Sequence, residues 1–437
     1  MGSIRNFLAL TDKYTSQNTE PGDYYRAVWC RDAAYILKDQ YLSGHHGAVL
    51  QQIRDIWNKQ IGNDSTKLVY GRGSPKTDFT PVNAEGQISR NFSGALPTTI
   101  FDNFSEVYAL NPDIDSTALM IYASTWILTS MIADSKNKGK EVATSITELT
   151  EHLIPYLFRG IDYLNSRDKD GDGLLEQDHN EDWMDTVLRE GKVVYSQACW
   201  LMALTGFANL LFAHEKEEEA KGLRYMVWRL VDSIENNMWS EGNNCYLDIK
   251  LDKLAEDDSP SILYQDIVFY VFAITELLPN IVPNKKRQLE MYRKDEKNNP
   301  LINNNRVIKM KKRMLLSLES LKNRTWLGNI PLVTEKPLLK TGPWILQSNE
   351  YHNYTHWPWI TAVELLTRFR FGQNDECNIL VSSLFDHNEK NSKSNHDNIF
   401  YEWLNPTTKT GGGAYPFRTG ISAYRLASLE MMSKKNN

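Results

Sequence analysis

Four segments gather side chains that can do chemistry. The first is Tyr24-Tyr25-Arg26-Ala27-Val28-Trp29-Cys30-Arg31-Asp32. An Arg-Asp pair just after a tryptophan, at a helix entrance, sets donors, acceptors and an aromatic face side by side. Vicinal sugar hydroxyls need both donors and acceptors. Asp in a first helical turn is also an ordinary helix-start residue, since it faces the positive end of the helix dipole.

The second segment runs from Asp168 to Asp185. Asp168, Asp170, Asp172 and Gly173 fall at positions 1, 3, 5 and 6 of a calcium loop, but His179 stands where the bidentate Glu belongs. That excludes an intact EF-hand. It leaves an acidic turn between two helices, with a calcium site of another geometry open. Further on, Glu181, Asp182 and Asp185 crowd around Trp183. Like charges and an indole wall push a carboxyl toward its protonated form, which is how a general acid is made at neutral pH. The bland alternative is a solvated acidic loop.

The third is Tyr351-His352-Asn353-Tyr354-Thr355-His356-Trp357-Pro358-Trp359, which fits the wall of a polar, aromatic pocket. His352 and His356 are four residues apart and no third ligand stands nearby, so no metal is expected there. The fourth places Glu402 between Tyr401 and Trp403, ahead of Gly411-Gly412-Gly413. Such a glycine triplet suits a flexible cleft rim.

The elements that must position these residues are helices. Leu119, Tyr122, Ala123, Trp126, Ile127 and Ser130 recur at helical spacing, with Asp115 or Ser116 as the N-cap. Leu149, Leu153, Leu157, Ile161 and Leu164 repeat the pattern across Pro155, so that helix begins near the proline or kinks. Further helices are predicted at 31–42, 46–59, 194–213, 216–237, 261–278, 306–322, 357–370, 374–385 and 419–433. Those at 194–213 and 261–278 are apolar on more than one face and belong to an inner layer. No fixed-period repeat is present, which argues against a simple solenoid. The connections at 62–104, 166–193, 325–356 and 386–418 are long, and long loops in compact domains usually carry function. Residues 283–305 read as a solvated excursion, and no composition break marks a linker.

Composition narrows the classes. A 437-residue chain with 41% hydrophobic residues has enough for a large core. Its net charge of −6 argues against a nucleic-acid surface. The 12 Trp and 21 Tyr serve cores and sugar-stacking clefts alike. Cys30, Cys199, Cys245 and Cys377 are too scattered for a zinc motif or a disulfide framework. No signal peptide is evident, and no stretch reads as the roughly 18 apolar residues of a membrane span. A cytoplasmic protein with reduced thiols is expected.

Taken in order, W-x-R-D, D-G-L-L, D-W-M-D, W-P-W and Y-E-W-x-x-P form a series spanning roughly residues 20–430. The series resembles the (α/α)6-barrel glycosidases, above all the amylo-α-1,6-glucosidase domain of glycogen debranching enzymes. It is also similar to glucoamylases, processing glucosidases and the small hydrolases of mannosylglycerate and glucosylglycerate. The resemblance implies an all-α fold, an (α/α)6 six-hairpin toroid with long active-site loops, as one catalytic domain over 1–437.

It also implies inverting hydrolysis of an α-glycosidic bond with no organic cofactor. Asp185 would be the general acid, with Asp182 as its local rival, and Glu402 the general base. Arg31 and Asp32 would hold hydroxyls of the terminal sugar. Trp357 and Trp359 would form the aromatic wall, with Trp29, Trp183 and His356 completing the sugar-binding set. The expected partner is a carbohydrate, with neither nucleic acid nor membrane.

The chain lacks room for the extra domains of large debranching enzymes, which favours a short oligosaccharide or small glycoside. Glycerate glycosides would need a cation, and Arg72, Lys409 and Arg418 lie in suitable loops. A non-catalytic sugar-binding protein is the alternative of another class, but gives no reason for paired loop carboxylates beside tryptophans. An epimerase would rely on His pairs, and a phosphorylase on a basic pocket in place of Glu402.

Overall fold

A computed structural model describes residues 2–15, 18–22, 24–62, 67–70, 92–108, 111–250, 262–278, 304–339, 346–391 and 401–433. Arg72 and almost all of the 283–305 segment lie outside the described residues. Twelve α-helices carry the described chain: α1 Gly2–Thr11, α2 Cys30–Leu42, α3 His46–Asn58, α4 Ile114–Asn137, α5 Thr144–Asn165, α6 Val194–Ala213, α7 Glu217–Asn237, α8 Val268–Leu277, α9 Asn304–Thr325, α10 Pro358–Arg370, α11 Asn374–Asn391 and α12 Arg418–Ser433. The all-α class expected from periodicity is the one observed, and eleven of these helices match predicted ones. The N-terminal α1 is an addition to them. The predicted 261–278 helix is shorter, because a 3-10 turn at Gln265–Ile267 precedes α8.

The chain divides into two compact units, which no composition break marks. One holds Thr11–Leu230, and the other Met1–Leu10, Val231–Leu339 and Leu346–Asn437.

In the first unit α4 packs along α6. Both are buried on nearly every face, since neither sequence offers a polar stripe to water. Gly206 of α6 faces Thr125 and Tyr122 of α4, so that any larger residue would force the helices apart. These two helices are long and apolar enough to cross a membrane, contrary to the sequence expectation, but 78% and 83% of their apolar windows are buried inside the fold. Each fully buried Leu or Ile contributes about 1.5–3 kcal/mol by leaving water. Pro155 lies inside α5 rather than at its start.

A small sheet of β1 Val28–Trp29, β2 Lys67–Tyr70, β3 Thr99–Ile100 and β4 Phe104–Val107 has the order β1-β3-β4-β2. Its β1 and β3 run antiparallel with Trp29 opposite Thr99. This register delivers the chain into α2 and fixes where Trp29 stands. Strand β5, Lys192–Val193, leads into α6.

In the second unit Arg370 of α10 ties neighbouring helices together. It bonds Thr275 and Glu276 of α8 and both carboxyl oxygens of Glu430 on α12. Helix α1 joins through Phe7, edge-on to Tyr424 at 4.4 Å. Short hairpins punctuate this unit: β6 Trp239–Ser240 with β7 Cys245–Tyr246, then, after strand β8 Ile249–Lys250, β9 Trp326–Leu327 with β10 Ile330–Pro331, and β11 Trp403–Leu404 with β12 Gly411–Gly412.

Candidate active site

The first unit gathers Trp29, Arg31, Asp32, Trp183 and Asp185, together with carboxylates to which the sequence alone assigns no role. Arg31 and Asp32 lie in the first turn of α2. The Arg31 guanidinium is 3.7 Å from Asp32 Oδ2, 3.9 Å from Asp113 Oδ2 and 3.4 Å from Asp115 Oδ2. Its Cζ stands 6.0 Å from the Trp29 ring centre. The Tyr195 hydroxyl donates to Asp115 Oδ2 at 3.0 Å, and Thr98 donates to Asp113 Oδ1 at 3.0 Å.

Asp113, not Asp115 or Ser116, is the N-cap of α4, and its side chain makes no cap hydrogen bond. Its carboxylate points to Thr98 and Arg31 instead. The Asn-Pro-Asp-Ile-Asp run at the start of α4 looks like helix-start chemistry, which conceals this second role.

Three carboxylates around one guanidinium cannot all ionise cheaply. Burial, offset in part by Arg31 and reinforced by Asp182, pushes Asp115 up to about 6. Burial and the neighbouring Asp115 hold Asp113 well above the usual carboxylate range. A folded pKa above the unfolded one means that the native state keeps a proton the unfolded chain releases. The contribution of this pair to stability therefore falls as pH rises from about 4 through about 6, and Asp113 carries the fall further up. Asp115→Asn should flatten this slope. Thermal midpoints of both proteins from pH 4 to pH 7 check it, and parallel curves would refute it.

A row of rings leads to this group. Tyr24, 75% exposed, is followed by Tyr25 at 5.3 Å, Trp29 at 5.2 Å and Tyr108 at 5.1 Å. The buried Trp29 Nε1 has no hydrogen-bond acceptor among the described residues. The Tyr108 hydroxyl is pushed up to about 12 by burial and then by the charges of Glu106, Asp185 and Asp113. Asp185 thus stands close enough for Tyr108 to feel its charge.

The 166–193 loop explains how Asp185 is held. Glu181 accepts from Arg167 Nη2 at 2.6 Å, from Asn111 and from the Asp178 amide. Asp182 is fully engaged. Its Oδ2 accepts from Gln177 Nε2 and Arg189 Nε, each at 2.8 Å, with Arg189 Nη2 also at 2.8 Å. Its Oδ1 accepts from the Met184 amide at 2.8 Å. Two of the three carboxylates, Glu181 and Asp182, are thus each paired with an arginine, and burial still holds Glu181 above the usual carboxylate range. Asp182 has no oxygen to spare for a substrate, whereas Asp185 lies half-buried on the turn between Asp182 and Arg189. Trp183 is buried edge-on to Tyr195, behind the Arg31–Asp115 group.

In the second unit, the 349–359 stretch pairs with the Glu402 strand. The His356 amide donates to Leu404 O at 3.0 Å and the Leu404 amide returns a bond to His356 O at 2.9 Å. Asn349, Tyr351 and Tyr354 hold positive φ values of 68°, 44° and 62°. Such conformations cost energy in non-glycine residues and cluster at functional loops.

Trp357 Nε1 donates to Tyr351 O at 2.9 Å, and its ring stacks on His352 at 4.7 Å. His356 Nδ1 donates to Pro331 O at 2.9 Å. Trp359 packs on Phe269 of α8 at 5.5 Å, and Trp357 and Trp359 are each 3% exposed, so both rings lie buried in this unit. Among the described residues the histidine pair is not part of any convergent ligand group.

Glu402 sits between two rings laid on glycines. Tyr401 covers Gly411 and Trp403 covers Gly412, where a Cβ would strike either ring. The triplet is a close-fitting bed rather than a flexible rim. Glu402 Oε2 accepts from the Ala414 amide at 2.8 Å, and the Glu402 amide donates to Ala414 O at 3.1 Å. Gly413 holds φ +74°, and a Cβ there would collide with Glu402 Oε2. Gly413→Ala should thus cost about 1–2 kcal/mol in backbone strain. Denaturant unfolding of the variant beside the wild type measures that cost. An unchanged unfolding free energy would show that Gly413 is not needed to seat Glu402.

No family model matches the chain, and no curated protein is similar to it. Solved structures share its fold. A mannosylglycerate hydrolase of family GH63 from Thermus thermophilus, in complex with glucose, has a TM-score of 0.59 at 13% identity, covering 98% of this chain and 99% of that one. An uncharacterized conserved protein from the same organism has a TM-score of 0.60 at 13% identity, covering 97% and 98%. A rhamnosidase from Klebsiella oxytoca with rhamnose bound has a TM-score of 0.58 at 13% identity, covering 99% of this chain and 64% of that one. At this identity the likeness shows the fold, the same all-α fold that periodicity indicated.

Proposed function

We propose that this chain is an inverting, exo-acting glycoside hydrolase that cleaves an α-glycosidic bond of a short oligosaccharide or small glycoside, with α-glucosides as the first candidates. Asp185 protonates the leaving oxygen and Glu402 deprotonates the attacking water. Asp182 serves as the anchor of the Asp185 turn. Arg31, Asp32 and Trp29 take the terminal sugar, Trp183 supports that set through Tyr195, and His356 contributes to sugar binding on the Glu402 side. Trp357 braces the Glu402 side, and Trp359 acts through packing.

The observation that carries this reading is the contrast within the acidic loop. Glu181 and Asp182 are buried and each spent on an arginine, while Asp185 is half-buried on a turn whose charge reaches Tyr108, the ring beside Trp29. A carboxyl held rigidly in an aromatic, half-buried setting suits a general acid. The fold shared with glycosidase structures supports the reaction class.

A second reading, a glycoside with an anionic aglycone, draws on the likeness to a mannosylglycerate hydrolase that was also captured with Tris and D-glycerate. Of the candidate cations, Arg418 is 4% exposed at the start of α12, and Lys409 holds φ +62° in the turn after Asn405.

The test is sugar release from isomaltose, maltose, trehalose, limit dextrin, mannosylglycerate and glucosylglycerate, with the product anomer followed by proton NMR. Release with inversion of one member supports the reading and identifies the aglycone class. Retention would refute the water-activating role of Glu402, because inverting sites hold their carboxyls roughly 6.5–9.5 Å apart to admit water. Binding without release would favour a non-catalytic carbohydrate-binding protein.

A further inference from the structure

The acidic turn at 168–176 has no part in the chemistry above, yet it is tightly built. Gly173 donates its amide to Asp168 Oδ2 at 2.9 Å, Asp172 to Asp170 Oδ1 at 3.2 Å and Leu174 to Asp172 Oδ1 at 2.9 Å. These bonds fold the turn so that one carboxylate oxygen from each of Asp168, Asp170 and Asp172 lies within 4.8 Å of the others. Glu176 adds a fourth carboxylate close by. So much negative charge in one turn calls for a cation.

Lys192 supplies one. Its Nζ contacts Asp170 Oδ2, and lies 2.8 Å from Asp172 Oδ2 and 3.8 Å from Glu176 Oε1. Its side chain is only 3% exposed, although a lysine ordinarily keeps its ammonium in water. Hydrogen bonds to Asp170 and Asp172 outweigh the burial and hold its pKa above the ordinary lysine value. Arg229 approaches from outside, 3.7 Å from Asp168 Oδ2.

The turn connects to Asp185 through short steps. Gly191, next to Lys192, exchanges backbone hydrogen bonds with Gln177 at 2.9 and 2.8 Å. Gln177 Nε2 in turn holds Asp182 Oδ2, and Asp182 begins the turn that carries Asp185. Lys192 therefore draws the two arms of the loop together at its base.

We propose that the Lys192 ammonium is the built-in counter-ion of this acidic turn, standing where a divalent cation would otherwise be held, and that it is a positioning residue which sets the Asp185 loop without a metal. The counter-ion role stands on the turn alone, and only the link to Asp185 rests on the function proposed above.

The test uses the full chain and Lys192→Met. Thermal unfolding is followed in a chelator and in millimolar calcium chloride, and calcium is titrated by calorimetry. The wild type should unfold at the same temperature in both and bind no calcium. Lys192→Met should unfold earlier in chelator, recover in calcium, and bind about one calcium ion through oxygens now free to ligate it. If the variant folds only with calcium, that too supports the proposal, and adding Asp170→Asn should abolish the response. Calcium stabilisation of the wild type would overturn the proposal, as would a Lys192→Met protein with neither a loss in chelator nor a calcium response.

Hydrolysis by the same variant tests the positioning role separately. In chelator kcat should fall by about a hundredfold with KM little changed, and calcium should restore it. An unchanged kcat would overturn the link to Asp185 without touching the stability and binding results. Absence of hydrolysis by the wild type would instead count against the proposed function.

Discussion

Asp185→Asn and Glu402→Gln should each lower kcat by about 10²–10⁴-fold while leaving the fold and KM close to those of the wild type. That range is what a positioned acid or base contributes by moving a proton in the transition state. Both changes preserve shape and remove only proton-transfer capacity. Glu402→Gln keeps a side-chain oxygen for the Ala414 amide, and Asp185 is already half-buried on a turn braced by others.

Asp182→Asn is the informative control. Its oxygens accept from Gln177, Met184 and Arg189, so its loss should appear as lower stability, with kcat recovering at low temperature. Steady-state kinetics of the three variants, beside their thermal midpoints, check the assignment. Full activity in Asp185→Asn with a collapse in a folded Asp182→Asn would reverse the roles of the two aspartates.

Arg189→Met should destabilise the protein by about 3–5 kcal/mol, because it leaves the Asp182 carboxylate buried without its cation. Both side chains of this pair are 1% exposed, and water cannot replace the lost partner. The guanidinium also lies 5.9 Å from the centre of the Tyr195 ring, which contributes some packing. Adding Asp182→Asn to Arg189→Met removes the stranded charge. The double variant should therefore be more stable than Arg189→Met alone, and denaturant unfolding of the four proteins in a double-mutant cycle measures that coupling. A cost under about 1 kcal/mol for Arg189→Met would show the pair to be hydrated like a surface ion pair.

The helices are legible in the chain because their signal is local. Predicted 194–213 and observed Val194–Ala213 coincide, since apolar residues on every face can only be buried. Helix α1 escapes such a reading, and so do the two-residue strands, whose existence depends on a partner far away in sequence. The loops that hold Asp185 and Glu402 are also legible, by their length and their mix of aromatic and ionisable groups.

What each loop carboxylate does is not legible. Asp182, Asp185 and Glu181 are equivalent in type and spacing, and the approach of Arg189, Arg167 and Asn111 tells them apart. Asp115 looks like a helix-start residue until the fold places it against Arg31, 84 positions earlier. The glycine triplet reads as a flexible rim, and the rings of Tyr401 and Trp403 make it a bed. Periodicity and residue type over a few turns suffice for the helices, for the apolar layers and for which loops carry reactive groups. Which carboxylates are paired, and where Lys192 spends its charge, follow from the assembled fold alone, because charge pairing depends on distances of a few ångströms that the path of the loop, not residue type or spacing, sets.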